Sequence, residues 1–207
     1  MGRLNTKKGW VYEVAQWFPR VSVYDDIQGW NTMPYLGAGE FYLEYGDIDF
    51  AITAPSDLII VGSGELLNAK DCYTAEQVKR WEAAAKSNTT VAIRSADEVG
   101  RAAFRPAAAE LTWKFKITNT RDAAWAASKA FIIDAAKIDL PSGKKCIAIS
   151  AYSEESIGKN GWQRSTEMVK GSIEHYSNKW FEYPYPAATN VAGIVGGMEY
   201  PGIVFCS

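Results

Sequence analysis

Three features of the sequence predict a mainly β fold, an antiparallel saddle- or sandwich-like domain followed by one long helix and a short apolar strand. Leu111, Trp113, Phe115 and Ile117 alternate cleanly with Thr112, Lys114, Lys116 and Thr118, which is the signature of a half-buried strand. At least seven such segments fall within about the first 150 residues, joined by short turns, and this density indicates an antiparallel sheet pair. After about residue 153 the period changes: Trp162, Thr166, Val169, Ile173, Tyr176 and Trp180 recur at steps of three and four, a helical stripe.

Each element has a local reason. Trp10 to Trp17 is extended and aromatic, and Pro19 limits it. Residues 25–39 carry Asp-Asp, Asn, Pro and several Gly and read as a long loop in which Asp25 and Asp26 cap turns. Phe41, Leu43 and Tyr45 alternate in one parity and Ile48, Phe50 and Ile52 in the other; a bulge or tight turn at Gly46-Asp47 restores a single buried face. Leu58 to Val61 is a short apolar strand ended by Gly62-Ser63-Gly64. Thr74 and Gln77 form a capping-box pattern ahead of a helix through Lys86. Strands are expected at 91–94, 124–127, 131–136 and 145–152, with a loop and a helical turn over 95–110. Tyr183-Pro184-Tyr185-Pro186 stops the long helix. The final Ile203-Val204-Phe205-Cys206 is apolar enough to want burial on both faces. One helix and one strand cannot cover each other's faces alone, so residues 160–207 are expected to expose apolar surface and the chain reads as ending part-way through a second unit.

Composition narrows the function. The 207 residues are 47% hydrophobic and 22% charged, with a formal net charge of −2. A near-neutral chain lacks the basic excess of a phosphate-backbone binder, so no nucleic-acid partner is expected. A single histidine, His175, excludes a zinc site built on two or three histidines of this chain. The three cysteines are far apart with no CxxC, and buried free thiols are expected. No stretch approaches the roughly 18 apolar residues of a membrane span, and Met1 to Gly9 lacks the apolar run of a signal peptide. Gly62-Ser63-Gly64 and Gly37-Ala38-Gly39 lack the helix and lysine of a phosphate loop and read as turns.

Several segments, in order, resemble the zinc aminopeptidases of the aminopeptidase N type, the gluzincin metallopeptidases. Gly196-Gly197-Met198-Glu199-Tyr200 resembles their GxMEN exopeptidase motif, and it follows a long helix, the Tyr-Pro-Tyr-Pro stop and Asn190-Val191-Ala192-Gly193. Ala15-Gln16-Trp17-Phe18-Pro19-Arg20 with Tyr24-Asp25-Asp26 resembles a segment of their N-terminal β-domain, and residues 122–128 resemble its late strand. The resemblance implies a β-domain over residues 1–152 and the start of a thermolysin-like catalytic domain over 153–207. It implies removal of N-terminal residues from peptides, with zinc in the full-length parent. In that family the HExxH ligands, the general base and the oxyanion tyrosine come after the MEN-type motif, and this chain contains none of them. The implied chain is an N-terminal fragment with no cofactor of its own, inactive alone, whose partners are a peptide N-terminus and the missing catalytic domain. A free-standing β-sandwich interaction module derived from such an enzyme is the alternative.

The resemblance also assigns residues. Glu199 is implied to hold the substrate's α-ammonium by a charge-assisted hydrogen bond, which fixes the distance from amine to scissile carbonyl. Gly196 and Gly197 are implied to let substrate lie against bare backbone, with Met198 beside them. Gln16 is implied to reach the first substrate pocket, where an amide accepts from the ammonium without adding a second charge. The family's Asn is Tyr200 here. The other readings are an exposed strand-edge glutamate beside Pro201 and an ordinary exposed strand glutamine.

Overall fold

The computed structural model describes residues 1–34 and 42–207; the expected turn at Gly37-Ala38-Gly39 and the Phe41 strand position lie outside the described residues. The fold is mainly β, as the alternation predicts. The chain opens with the hairpin β1 (Gly2–Thr6) and β2 (Gly9–Val14) and a short ribbon of β3 (Tyr24–Asp25) and β4 (Gly29–Trp30). Then come β5 (Gly46–Pro55), β6 (Ile59–Gly62), β7 (Glu65–Leu66), α1 (Ala69–Cys72), α2 (Ala75–Ala84) and β8 (Val91–Arg94). The remainder is β9 (Glu110–Thr120), β10 (Trp125–Ser128), β11 (Ile132–Asp139), β12 (Lys145–Tyr152), α3 (Ser165–Lys179), β13 (Ala187–Ala192), β14 (Met198–Tyr200) and β15 (Ile203–Cys206).

Local chemistry sets the boundaries. Asp25 Oδ1 accepts hydrogen bonds from the Ile27 and Gln28 amides at 3.0 and 2.7 Å, the expected turn-capping carboxylate. Residues 42–45 form no strand and Tyr45 is 56% exposed, so no buried face continues through Gly46-Asp47; the β5–β9 ladder itself begins with a register shift between Gly46 and Ile48. It puts Phe50 opposite Phe115, with ring centroids 5.1 Å apart. Thr74 and Gln77 close the capping box on α2 in both directions. A single 3₁₀ turn at Ala102–Phe104 supplies the helical turn expected in the Ala-rich loop.

The strands form a four-stranded sheet in the order β1-β2-β10-β6, a three-stranded sheet β5-β9-β7 and a six-stranded sheet β14-β15-β13-β12-β11-β8. The first two are antiparallel; in the third, β13 runs parallel to both β12 and β15. The chain reaches β13 from β12 through α3, a strand–helix–strand crossover. Alternation then divides β12: Ile149 and Ala151 face the main core, while Cys146 and Ala148 face α3. The main core also takes Trp113, Phe131 and Phe205.

Two expectations change. The helical stripe packs only in part: Thr166 is buried and Val169 and Ile173 cover Ile138, Cys146 and Ala188, but Tyr176 and Trp180 are 60% and 68% exposed. The helix turns a polar row inward because Thr166 Oγ1 hydrogen-bonds Ser150 Oγ at 2.7 Å. And β13 is buried along its whole length between β12 and β15, so the exposed apolar surface of residues 160–207 is confined to side chains such as Met168, Tyr176, Trp180 and Phe181. The expected division at 152/153 falls between two strands hydrogen-bonded into one sheet.

Candidate functional site

β13 ends at Ala192, residues 193–197 make a turn, and β14 returns as the edge strand of the six-stranded sheet, pairing Glu199 with Val204 of β15. Gly197 sits at φ +69 with nothing within 4 Å of the position a Cβ would take, so glycine serves the left-handed turn here. Gly196 and Gly197 are both exposed, which leaves their backbone open to a ligand. On β14, Met198 and Tyr200 are half-buried, with the Tyr200 ring 5.5 Å from Phe205, while Glu199 is exposed.

Glu199 stands at the rim of a pocket of about 590 Å³ between β13–β15 and α3. Its walls include Trp162, Val169, Ile173 and Val204, and the buried Ser165 Oγ, Thr189 Oγ1 and Asn190 Oδ1 find no hydrogen-bond partner among the described residues. The Glu199 carboxylate forms no ion pair or hydrogen bond among the described residues. A free carboxylate at the mouth of an apolar pocket, beside unobstructed glycine backbone, is suited to a cationic group with an apolar body.

Gln16 is half-buried and lies just past β2 with φ +55, a left-handed backbone that is uncommon for a residue with a side chain. Its amide makes no hydrogen bond within the described residues, so it is neither a core amide nor a strand residue. Next to it Trp17 Nε1 donates to the Ala123 carbonyl at 3.0 Å, which anchors this segment. The structure shows no direct contact between Gln16 and Glu199.

What connects the two segments is Glu13, a residue that sequence reasoning missed. It is 1% exposed, and its Oε2 accepts from the backbone amides of Ile194 and Val195 at 2.9 and 3.0 Å. Oε1 has no partner. Burial raises the carboxyl above its ordinary value of 4.5, against the lowering effect of those two amides. Glu13 thus ties the strand that leads to Gln16 to the turn that leads to Glu199. Its signal in the sequence is its parity: Glu13 shares a strand face with the buried Val11.

Other candidates resolve simply. His175 is exposed on α3 against Tyr176. All three cysteines are free; burial pushes the Cys72 thiol up to about 12, which suits a core side chain rather than a nucleophile. Among the described residues no three His, Cys, Asp or Glu side chains are grouped so as to hold a metal, so these residues offer zinc no seat. No described helix is long and apolar enough to cross a membrane.

No protein-family model matches the chain, and no curated protein matches it. Solved structures do. Aminopeptidase A of Legionella pneumophila, in complex with aspartic acid, superposes with a TM-score of 0.50 at 10% identity, over 99% of this chain and 19% of that one. An M1 zinc metallopeptidase from Deinococcus radiodurans, a mutant bound to a Tyr-Ser-Ala substrate, matches with a TM-score of 0.47 at 10% identity, over 79% of this chain and 30% of that one. The chain thus spans less than a third of the length of either structure. At 10% identity the Legionella match is a likeness of fold alone: the mainly β arrangement described above also occurs in that protein.

Proposed function

We propose that this chain is the substrate-entrance part of a zinc-dependent metallo-aminopeptidase, with Glu199 as the anchor for the peptide's N-terminal amine. The observation that carries this reading is the unpaired Glu199 carboxylate on an edge strand, at the rim of a mainly apolar pocket and next to two exposed glycines. The α-ammonium donates to Glu199; the backbone of Gly196 and Gly197 lies along the substrate; Met198 supports the strand. Gln16 offers a second, uncharged acceptor, and Glu13 keeps the two segments in register. On this reading the zinc ligands, general base and oxyanion donor of the parent come from other residues; among the described residues no three His, Cys, Asp or Glu side chains are grouped so as to hold a metal. The chain alone is an inactive fragment on this reading, whose partners are the peptide's N-terminus and the rest of the catalytic domain.

The test uses the full-length parent and an aminoacyl-nitroanilide. Glu199→Gln is expected to raise KM for free-amine substrates by about 10- to 100-fold, the worth of one charge-assisted hydrogen bond. An unchanged KM overturns the role of Glu199. Zinc-dependent hydrolysis by residues 1–207 alone overturns the assignment of the metal site elsewhere, and a reading frame with no HExxH after Ser207 favours the interaction module.

A further inference from the structure

A second pocket, of about 480 Å³, lies away from Glu199 and is lined by Lys8, Arg94, Arg101, Arg105 and Lys129 against a single carboxylate, Asp57. In a chain of net charge −2 this concentration of cations is local. Arg94, on β8, is 95% buried, as its 5% exposure shows, and is the element that makes the pocket a built site. Its Nη1 donates to the Lys129 and Phe131 carbonyls at 3.2 and 2.5 Å, which fixes the guanidinium plane, while its Nε has no partner. The nearby Glu98 is already committed, accepting from Arg80 at 3.2 Å and from the Ser95 amide at 3.0 Å. Tyr73, Glu98 and Asp57 are the titratable groups that face Arg94, and they leave burial dominant, pulling the guanidinium below its ordinary value. Lys8 pairs with Glu154 at 3.1 Å, but the exposed side chains of Arg101, Arg105 and Lys129 form no ion pair or hydrogen bond among the described residues.

We propose that this pocket binds a small polyvalent oxyanion bearing phosphate groups. A fixed, buried guanidinium in the pocket wall and two exposed guanidiniums beside it match the several oxygens of a phosphate-bearing group. Phe104 and Ile59 add apolar wall, so a phosphate ester with a compact organic body fits the volume. A nucleic-acid backbone is disfavoured because the buried Arg94 is reached only by a group small enough to enter the pocket.

Residues 1–207 titrated with pyrophosphate, followed by calorimetry and phosphorus NMR, test this. Binding is expected with a dissociation constant on the order of 0.1 mM. Arg101→Ala and Arg105→Ala, both at exposed positions, are each expected to weaken it by about tenfold, and Arg94→Lys, which keeps charge but loses the fork, by a similar factor. Lys79→Ala, on the exposed face of α2, leaves it unchanged. No heat and no line shift at about 5 mM pyrophosphate, far above that constant, overturns the proposal. So does a double Arg101→Ala/Arg105→Ala variant that binds as the parent does, or tighter binding of a single-stranded oligonucleotide than of pyrophosphate.

Discussion

At the scale of single residues, Glu13 is the side chain whose removal tells most. A buried carboxylate with one satisfied oxygen and one orphan is a compromise: it secures two turn amides and leaves a charge poorly solvated. The sign of its pH dependence follows. The folded-state pKa lies above the ordinary 4.5, so the folded state holds the proton more tightly than the unfolded one. Below the ordinary 4.5 Glu13 is protonated in both states and adds no penalty; as pH rises from there through the raised value, the folded state loses stability relative to the unfolded. Glu13→Gln keeps an acceptor for the two amides without the charge. Its stability relative to the parent, from urea midpoints, is therefore expected to improve between pH 4 and pH 7, a window that brackets the ordinary carboxylate value. A constant difference across that window contradicts the assignment. Gly193 supplies the complementary test: a Cβ there would lie 2.2 Å from the Glu13 carboxyl. Gly193→Ala is expected to cost about 1–3 kcal/mol by overpacking, and a background of Glu13→Ala should relieve much of that cost in a double-mutant cycle. The parity of Glu13 was legible in the sequence but its partners were not, because they lie about 180 positions away, at 194 and 195, whereas Glu199 stands within a contiguous motif.

At the scale of elements, legibility followed the range of the forces involved. β9 could be read directly because one of its faces is buried and the other wet, so from Glu110 to Thr118 its burial tracks its polarity. The α2 start was legible because the capping box is a three-residue contract between Thr74 and Gln77. Thr74→Ala is accordingly expected to lower stability by about 1 kcal/mol in thermal or urea denaturation, with no effect on strand content by circular dichroism. β13 was harder. Ala187–Ala192 is buried on both faces by a parallel pairing whose partners are set by the α3 crossover, and small residues in such a strand carry no alternation. The same tertiary override turned Ser165 and Ser177 of α3 inward and left Tyr176 and Trp180 outside, so the stripe misplaced its last two positions while Thr166, Val169 and Ile173 pack as expected. Gly64 shows a different limit: its φ of +84 and a Cβ position 2.2 Å from the Lys116 carbonyl reflect how closely β7 approaches β9, a packing fact rather than a turn motif.

At the scale of the whole molecule, the six-stranded sheet is the part that joins the two sequence-level expectations, since β8, β11 and β12 precede the change of period and β13 to β15 follow it. The candidate site hangs from the edge of that sheet, and the cationic pocket opens where β8 meets the loop after it. An arrangement of this kind has graded stability, highest where strands are flanked on both sides and lowest at edges. Amide hydrogen exchange should therefore rank the strands: β11, β12 and β13 slowest, exchanging only with global opening, and β14, β1 and the β3–β4 ribbon fastest, because each is an edge or an isolated pair. The ranking discriminates between two states of the final segment. If residues 187–206 exchange together and fast, the segment does not hold its place beside β12 without a further partner. If β13 is protected like β12 while β14 opens readily, the sheet is self-sufficient and Glu199 sits on an edge that opens readily; the complete burial of β13 and its ladders to both neighbours predict this second outcome.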